Sequence, residues 1–237
     1  MKRIAKKTLS IVLILLFLVP VVNVFTNLAS EQENGIPEGF VSVDELIPDV
    51  ILEVRYYSDD NFVGNRVDGY LAPKVILAVE AAEALAKVAD EMRVLGLVLK
   101  LFDGYRPQEA VNHFIRWAED VKDQKMKDKY YPEVDKRDVF KLGYIAKRSG
   151  HSRGSTIDLT LVDIVTGEEL DMGSGFDFFG EISHHGTDKI NEEQFKNREI
   201  LKKVMIKYGF EPYSKEWWHY TLLNEPYPET YYDFPVQ

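Results

Sequence analysis

Between Pro73 and Gly96 the chain carries one long amphipathic pattern, and an apolar run follows it at once. Ile76, Val79, Leu85, Val88, Met92 and Leu95 recur at helical spacing, with Pro73 at the start and Gly96 as the stop, so the spacing predicts a helix. LVLKLFDGY (97–105) then reads as a buried strand entering a turn, and QEAVNHFIRWAEDVK (108–122) as a second helix behind Pro107. In STIDLTLVD (155–163), Ile157, Leu159 and Leu161 alternate with Asp158 and Thr160, the pattern of a strand with two unlike faces. A third helix is expected over 191–209, ending at Gly209, and WWHYTLL (217–223) closes the chain as a strand. Helices and strands succeed one another without a regular βαβ rhythm. The expected class is therefore α+β, a single domain with a central antiparallel sheet flanked by helices. A chain of 237 residues, 45% hydrophobic and without internal repeats, suffices for one packed core.

The N-terminus has a different composition. MKRIAKK leads into SIVLILLFLVPVV and then into NLAS before the acidic EQEN, the layout of an export signal over residues 1–30. Ala29 or Ser30 is the expected last residue removed. The alternative is an uncleaved anchor, with residues 9–25 associating with the membrane, though that stretch contains Pro20 and Asn23 and is short for a span of about 20 residues. Export from the cytoplasm is the expectation either way. Residues 31–44 read as a polar linker and 45–237 as the folded domain. The whole chain has a net charge of −10, and losing Lys2, Arg3, Lys6 and Lys7 takes it to −14. So acidic a body, lacking any basic stripe, is repelled by nucleic acid and by anionic membrane surfaces, and nucleic-acid binding is excluded. With no cysteine, disulfides, thiolate nucleophiles and Cys-ligated zinc are excluded too.

The chemistry then rests on histidines and carboxylates. His151 opens a glycine-flanked loop entering the strand of Asp158, and His219 closes E-W-W-H. Alone, neither pair means much: a loop histidine near a surface carboxylate is commonplace, and residues three apart do not align on a regular strand. Glu216 can share a site with His219 only from the turn before the strand. Taken together, two histidines and one carboxylate are a standard catalytic zinc set that leaves one position for water. An unligated glutamate supplies a base, and a cation aimed at the developing oxyanion, offered by Arg106 in D-G-Y-R-P, completes the machinery.

S-x-H-x-x-G-x-x-x-D (Ser149 to Asp158) followed by E-x-W-H (Glu216 to His219) resembles the D-alanyl-D-alanine dipeptidase family, as do DGYRP (103–107) and GSGFDFFGEISH (173–184). These zinc peptidases share their fold with D,D-carboxypeptidases and the Hedgehog signalling domain. The resemblance implies one zinc per chain held by His151, Asp158 and His219, Glu216 as catalytic base, and Arg106 as transition-state stabiliser. It further implies Asp177 against the substrate's ammonium, Ser149 against its carboxylate, and Tyr56 and Tyr70 around a small pocket. For Asp177 a plain turn role is the alternative, and for the tyrosines core packing. His184 and His185 are expected as loop residues near the pocket mouth, because sequence neighbours point apart; His113 is expected to pack. The expected reaction is hydrolysis of free D-alanyl-D-alanine. The rival is an exported carboxypeptidase or endopeptidase acting on peptidoglycan stem peptides. A non-catalytic zinc-stabilised domain would have lost the base, and Glu216 is present.

Overall fold

The computed structural model describes residues 35–237; the expected export segment, its apolar stretch 9–25 and residues 31–34 lie outside them. Seven strands are described: β1 (Phe40–Ser42), β2 (Ile51–Leu52), β3 (Ile76–Ala78), β4 (Leu97–Asp103), β5 (Thr156–Asp163), β6 (Phe210–Pro212) and β7 (His219–Leu222). The α-helices are α1 (Val43–Leu46), α2 (Val79–Val94), α3 (Gln108–Glu119), α4 (Lys127–Tyr130), α5 (Val139–Leu142) and α6 (Glu192–Lys207). β2, β4, β5, β7 and β6 form a five-stranded sheet in that order, and β1 pairs with β3 in a separate ribbon. The α+β class holds. The sheet is antiparallel except at one edge, where β2 runs parallel to β4. Among the described residues no helix is long and apolar enough to cross a membrane.

Three local differences from the sequence reading have physical causes. The helix expected from Pro73 begins only at Val79, because the backbone of Ile76–Ala78 is claimed sideways. These residues pair with β1, Ile76 O accepts from Tyr105 N at 2.7 Å, and Ala78 N donates to Gly154 O at 2.7 Å. Gly104 has to be glycine for the same reason, since a Cβ there would lie 2.7 Å from Ile76 O. At the other end of α2, Gly96 stops the helix with φ +77°. The linker expected over 31–44 is shorter than that, because Phe40 and Val43 are buried core residues. Phe40 enters an aromatic cluster with Tyr105, Tyr227, Tyr232 and Phe234. The second helix stops at Glu119, three residues early.

Packing follows the patterns that were legible. α2 contributes Leu85, Val88 and Met92 to one core with Leu99, Leu101, Ile157, Leu159 and Leu161. α6 starts with a reciprocal cap, Asn191 accepting from Gln194 N and the Gln194 side chain accepting from Asn191 N. The C-terminal tail is sewn into the body. Tyr232 N donates to Ser152 O, Phe234 stacks on Tyr105 at 4.0 Å, and Val236 is fully buried, exchanging backbone hydrogen bonds with Gly69, Leu71 and Ala72.

Candidate active site

Strand register assembles the centre of the site. Asp158 on β5 lies opposite His219 on β7 and, on its other side, opposite Asp103 on β4. Directly opposed residues in an antiparallel pair share a face, so Asp103, Asp158 and His219 form one row across three strands. The row depends on an irregularity: the ladder passes from Leu101 opposite Leu159 to Asp103 opposite Asp158, leaving Phe102 as an extra residue. Strict alternation would send Asp103 the same way as Leu99 and Leu101; the bulge turns it to the site.

His151 reaches this row from the 3-10 turn Gly150–Arg153, whose start is capped by Ser149 Oγ accepting from His151 N at 3.3 Å. Its Nδ1 lies 2.7 Å from Gly104 O. A carbonyl only accepts, so Nδ1 carries the proton and Nε2 presents its lone pair inwards. Nε2 is 3.2 Å from Asp158 Oδ2 and 3.3 Å from His219 Nδ1, and His219 Nδ1 is 3.1 Å from Asp158 Oδ1. The donor atoms of the three residues lie within 4.8 Å of one another. One donor atom of the set is left over: Asp158 Oδ1 is buried without an aligned hydrogen bond. Inward-facing histidine nitrogens around an orphaned carboxylate oxygen fit a divalent metal. Burial favours the neutral form of Asp158, but the flanking histidines hold it well below the usual carboxylate range. Burial also opposes charge on His219, yet Asp158 outweighs it and raises that imidazole, whereas burial prevails at His151 and lowers it.

Glu216 sits in the turn between β6 and β7, where its N–H donates to Tyr213 O at 3.2 Å and its carbonyl accepts from His219 N at 3.3 Å. Its Oε2 is 3.4 Å from His219 Nδ1. Burial pushes its pKa up to about 7 despite the opposing pull of His219, the range in which a carboxylate can both take and return a proton. The neighbouring Trp217 anchors this turn, donating from Nε1 to Ser174 Oγ at 3.0 Å and from its backbone to Ser183 O at 3.0 Å. The GSGFDFFGEISH segment is thus tied to the turn that carries Glu216.

Arg106 is held from below. Its Nε and Nη2 each lie 2.9 Å from Asp103 Oδ2, and its Nη2 is 3.6 Å from Asp158 Oδ2. Its guanidinium faces the rings of Tyr56 at 5.0 Å and Phe114 at 5.2 Å. Asp103 also accepts from Tyr70 Oη at 2.6 Å. Tyr70 is therefore a correction: it does not line the cavity, but supports the carboxylate that holds Arg106. Tyr56 does line it, and donates to Asp177 Oδ2 at 2.8 Å. Asp177 is buried with φ +60°, an uncommon conformation for a residue other than glycine. Burial and the charge of Asp158 push its carboxyl well above the ordinary range.

Tyr56, Arg106, His151, Asp158, Asp177, Glu216 and His219 border a cavity of about 240 Å³, with Ser149 on another wall. That is below the roughly 300–1,000 Å³ of drug-sized sites. His184 and His185 do not border it; His185 packs on Tyr220 and the His184 carbonyl accepts from Arg198. His113 accepts from Asp68 N at 3.1 Å, so it braces a loop as well as packing. Asp103, Tyr144 and Tyr213 belong to the site or its support although no role was read for them. For the two tyrosines, which come from loops without periodicity, no sequence signal pointed there.

An α+β domain whose cavity gathers a His/Asp/His set, a glutamate and an arginine defines a metallopeptidase. A family model described as peptidase M15, D-Ala-D-Ala dipeptidase, matches residues 37–237. The chain is 45% identical to a D-alanyl-D-alanine dipeptidase of Enterococcus faecium over 84% of this chain and 98% of that one. It is 44% identical to one of Streptomyces coelicolor over 83% and 98%, and 35% identical to one of Escherichia coli over 77% and 83%. The chain belongs to the D-alanyl-D-alanine dipeptidase family. Among solved structures, a vancomycin-resistance D,D-pentapeptidase in complex with Zn(II) aligns with a TM-score of 0.41 at 17% identity, over 65% of this chain and 77% of that one.

Proposed function

We propose that this chain hydrolyses the free dipeptide D-alanyl-D-alanine to two D-alanines, with one zinc ion held by His151, Asp158 and His219. The observation that carries the reading is the set of inward donors around an orphaned Asp158 oxygen, in one small cavity with Glu216, Arg106 and Asp177. Bound there, zinc supplies Lewis acidity, polarising a carbonyl and lowering the pKa of water. Glu216 takes the proton of the attacking water and returns it to the leaving amine as the peptide C–N bond breaks. Arg106, fixed by Asp103, steadies the negative charge that grows on the carbonyl oxygen. Asp177, positioned by Tyr56, pairs with the substrate's ammonium, and Ser149 Oγ stands beside the base of the His151 turn. The names of the curated relatives support the substrate, and the cavity volume supports a small one. The charged and apolar layout of residues 1–30 supports export, which puts the reaction outside the cytoplasmic membrane.

The test is an activity panel on the purified zinc-loaded protein with free D-Ala-D-Ala, its L,L isomer and a stem pentapeptide. Preference for the free D,D-dipeptide is the expected result. Equal or faster cleavage of the pentapeptide would hand the assignment to the carboxypeptidase rival.

A further inference from the structure

The cavity has two arginines, and only one is already engaged. Arg106 is committed to Asp103 and leans on Asp158. Arg148, also on the cavity wall, is exposed and has no carboxylate partner among the described residues. It is nevertheless a positioned side chain. Its guanidinium lies 4.7 Å from the centre of the Tyr231 ring. That ring is pinned in turn: Arg153 Nη1 donates to Tyr231 Oη at 3.4 Å, and Arg153 is gripped by both oxygens of Glu225 at 2.6 and 2.8 Å. The backbone beneath is tied down on both sides, by Gln108 donating to Lys147 O at 3.2 Å and by the Ser149 cap. A flexible arginine loses rotamer entropy when it binds an anion; resting on a fixed ring, Arg148 has lost part of it beforehand.

We infer that Arg148 is a specificity-determining residue that binds the free terminal carboxylate of the substrate. The inference rests on the dipeptide reading and deepens it. A zwitterionic dipeptide carries an ammonium and a carboxylate; Asp177 answers the first, and Ser149, the residue expected at the second, offers only a neutral hydroxyl. A guanidinium can fork onto a carboxylate through two parallel N–H bonds, and Arg148 is the cavity cation free to do so. Its exposure limits the effect to substrate capture; it has no part in moving protons.

The experiment compares the full-length zinc-loaded protein with Arg148→Gln, Arg148→Lys and Tyr231→Leu on D-Ala-D-Ala and on its C-terminal amide. Arg148→Gln should raise KM for the free dipeptide about five- to thirty-fold, the scale of a lost charge-assisted hydrogen-bond pair, and leave kcat within about twofold. Arg148→Lys should recover part of the loss, and Tyr231→Leu should show a smaller rise. On the amide, wild type and Arg148→Gln should coincide. Added salt should raise the wild-type KM more steeply than that of Arg148→Gln, which keeps only the buried Asp177 pair. An unchanged KM on the free dipeptide, or an equal loss on the amide, would overturn the inference. If the wild type cuts only a stem pentapeptide, the dipeptide reading fails alone: that substrate ends in the same D-alanyl carboxylate, and the same comparison on it and its amide decides the role of Arg148.

Discussion

Asp103→Asn separates holding Arg106 from holding the metal. The native carboxylate is 1% exposed and receives three short contacts: Tyr70 Oη at 2.6 Å, and Arg106 Nε and Nη2 at 2.9 Å each. An amide of the same shape keeps one oxygen for one of these groups and turns an NH2 towards the other. With the amide oxygen facing Arg106 and the NH2 donating to Tyr70 Oη, both Arg106 bonds lose their charged acceptor and the buried Tyr70 O–H loses the oxygen it donated to, a cost of about 1.5–3 kcal/mol. The expected destabilisation is therefore about 2–4 kcal/mol, measured by urea unfolding. Arg106 would then be drawn towards Asp158, its other acid at 3.6 Å. If misplacing that cation costs about 3 kcal/mol of transition-state stabilisation, kcat/KM falls about a hundredfold. Zinc content should be unchanged, because His151 Nδ1 is oriented by Gly104 O at 2.7 Å, with Asp103 further away at 3.5 Å. Loss of zinc from the variant would refute this reasoning by showing that Asp103 acts through His151. Full activity and stability would show that Arg106 needs no anchor.

Other outcomes follow from the same geometry. Glu216→Gln should lower kcat by about a hundred- to ten-thousandfold while zinc stays bound, as measured by metal analysis after gel filtration; His219→Ala should lose both. Apo-protein should melt at a temperature that rises with added zinc, since an ion binding only the native state stabilises it by mass action, and His219→Ala should show no such rise. Acetylating the amine of D-Ala-D-Ala should cost about 2–5 kcal/mol, roughly thirty- to several-thousandfold in kcat/KM. Asp177→Asn should weaken free-dipeptide cleavage with zinc content intact. Fractionation should find the activity of the full chain outside the cytoplasmic membrane and that of a chain lacking residues 1–30 inside.

What could be read beforehand was whatever repeats. β5 announced its two faces through Ile157, Leu159 and Leu161 against Asp158 and Thr160, and α2 through the helical spacing of Val79, Leu85, Val88 and Met92. The pieces that escaped carry no period. β2 has two residues, β1 and β3 have three, and in such lengths a strand cannot be told from the start of a helix. Ile76 fitted the helical spacing of α2 while its backbone was committed to β1 and Tyr105. At the site, the residues that converge were those carrying distinctive chemistry in short motifs, His151, Asp158, Glu216 and His219. Asp103 stood inside a quoted motif without a role because a bulge decides where it points, and alternation is blind to a bulge. Tyr70 and Tyr56 look alike as sequence, and only tertiary packing sends one to Asp103 and the other to Asp177.

The stitched C-terminal tail has a consequence for biosynthesis. The turn that carries Arg106 is clasped by residues made after the metal set: Tyr105 Oη donates to Phe234 O at 2.9 Å, Gln108 N to Tyr232 O at 3.3 Å, and Glu109 N to Asp233 Oδ1 at 2.7 Å. Synthesis proceeds from the N-terminus, so a nascent chain can hold every residue of the metal set and still lack the clasp on its arginine. Those contacts become available only once residues 232–234 have left the ribosome, so the clasp on Arg106 closes after every residue of the His/Asp/His set has been made.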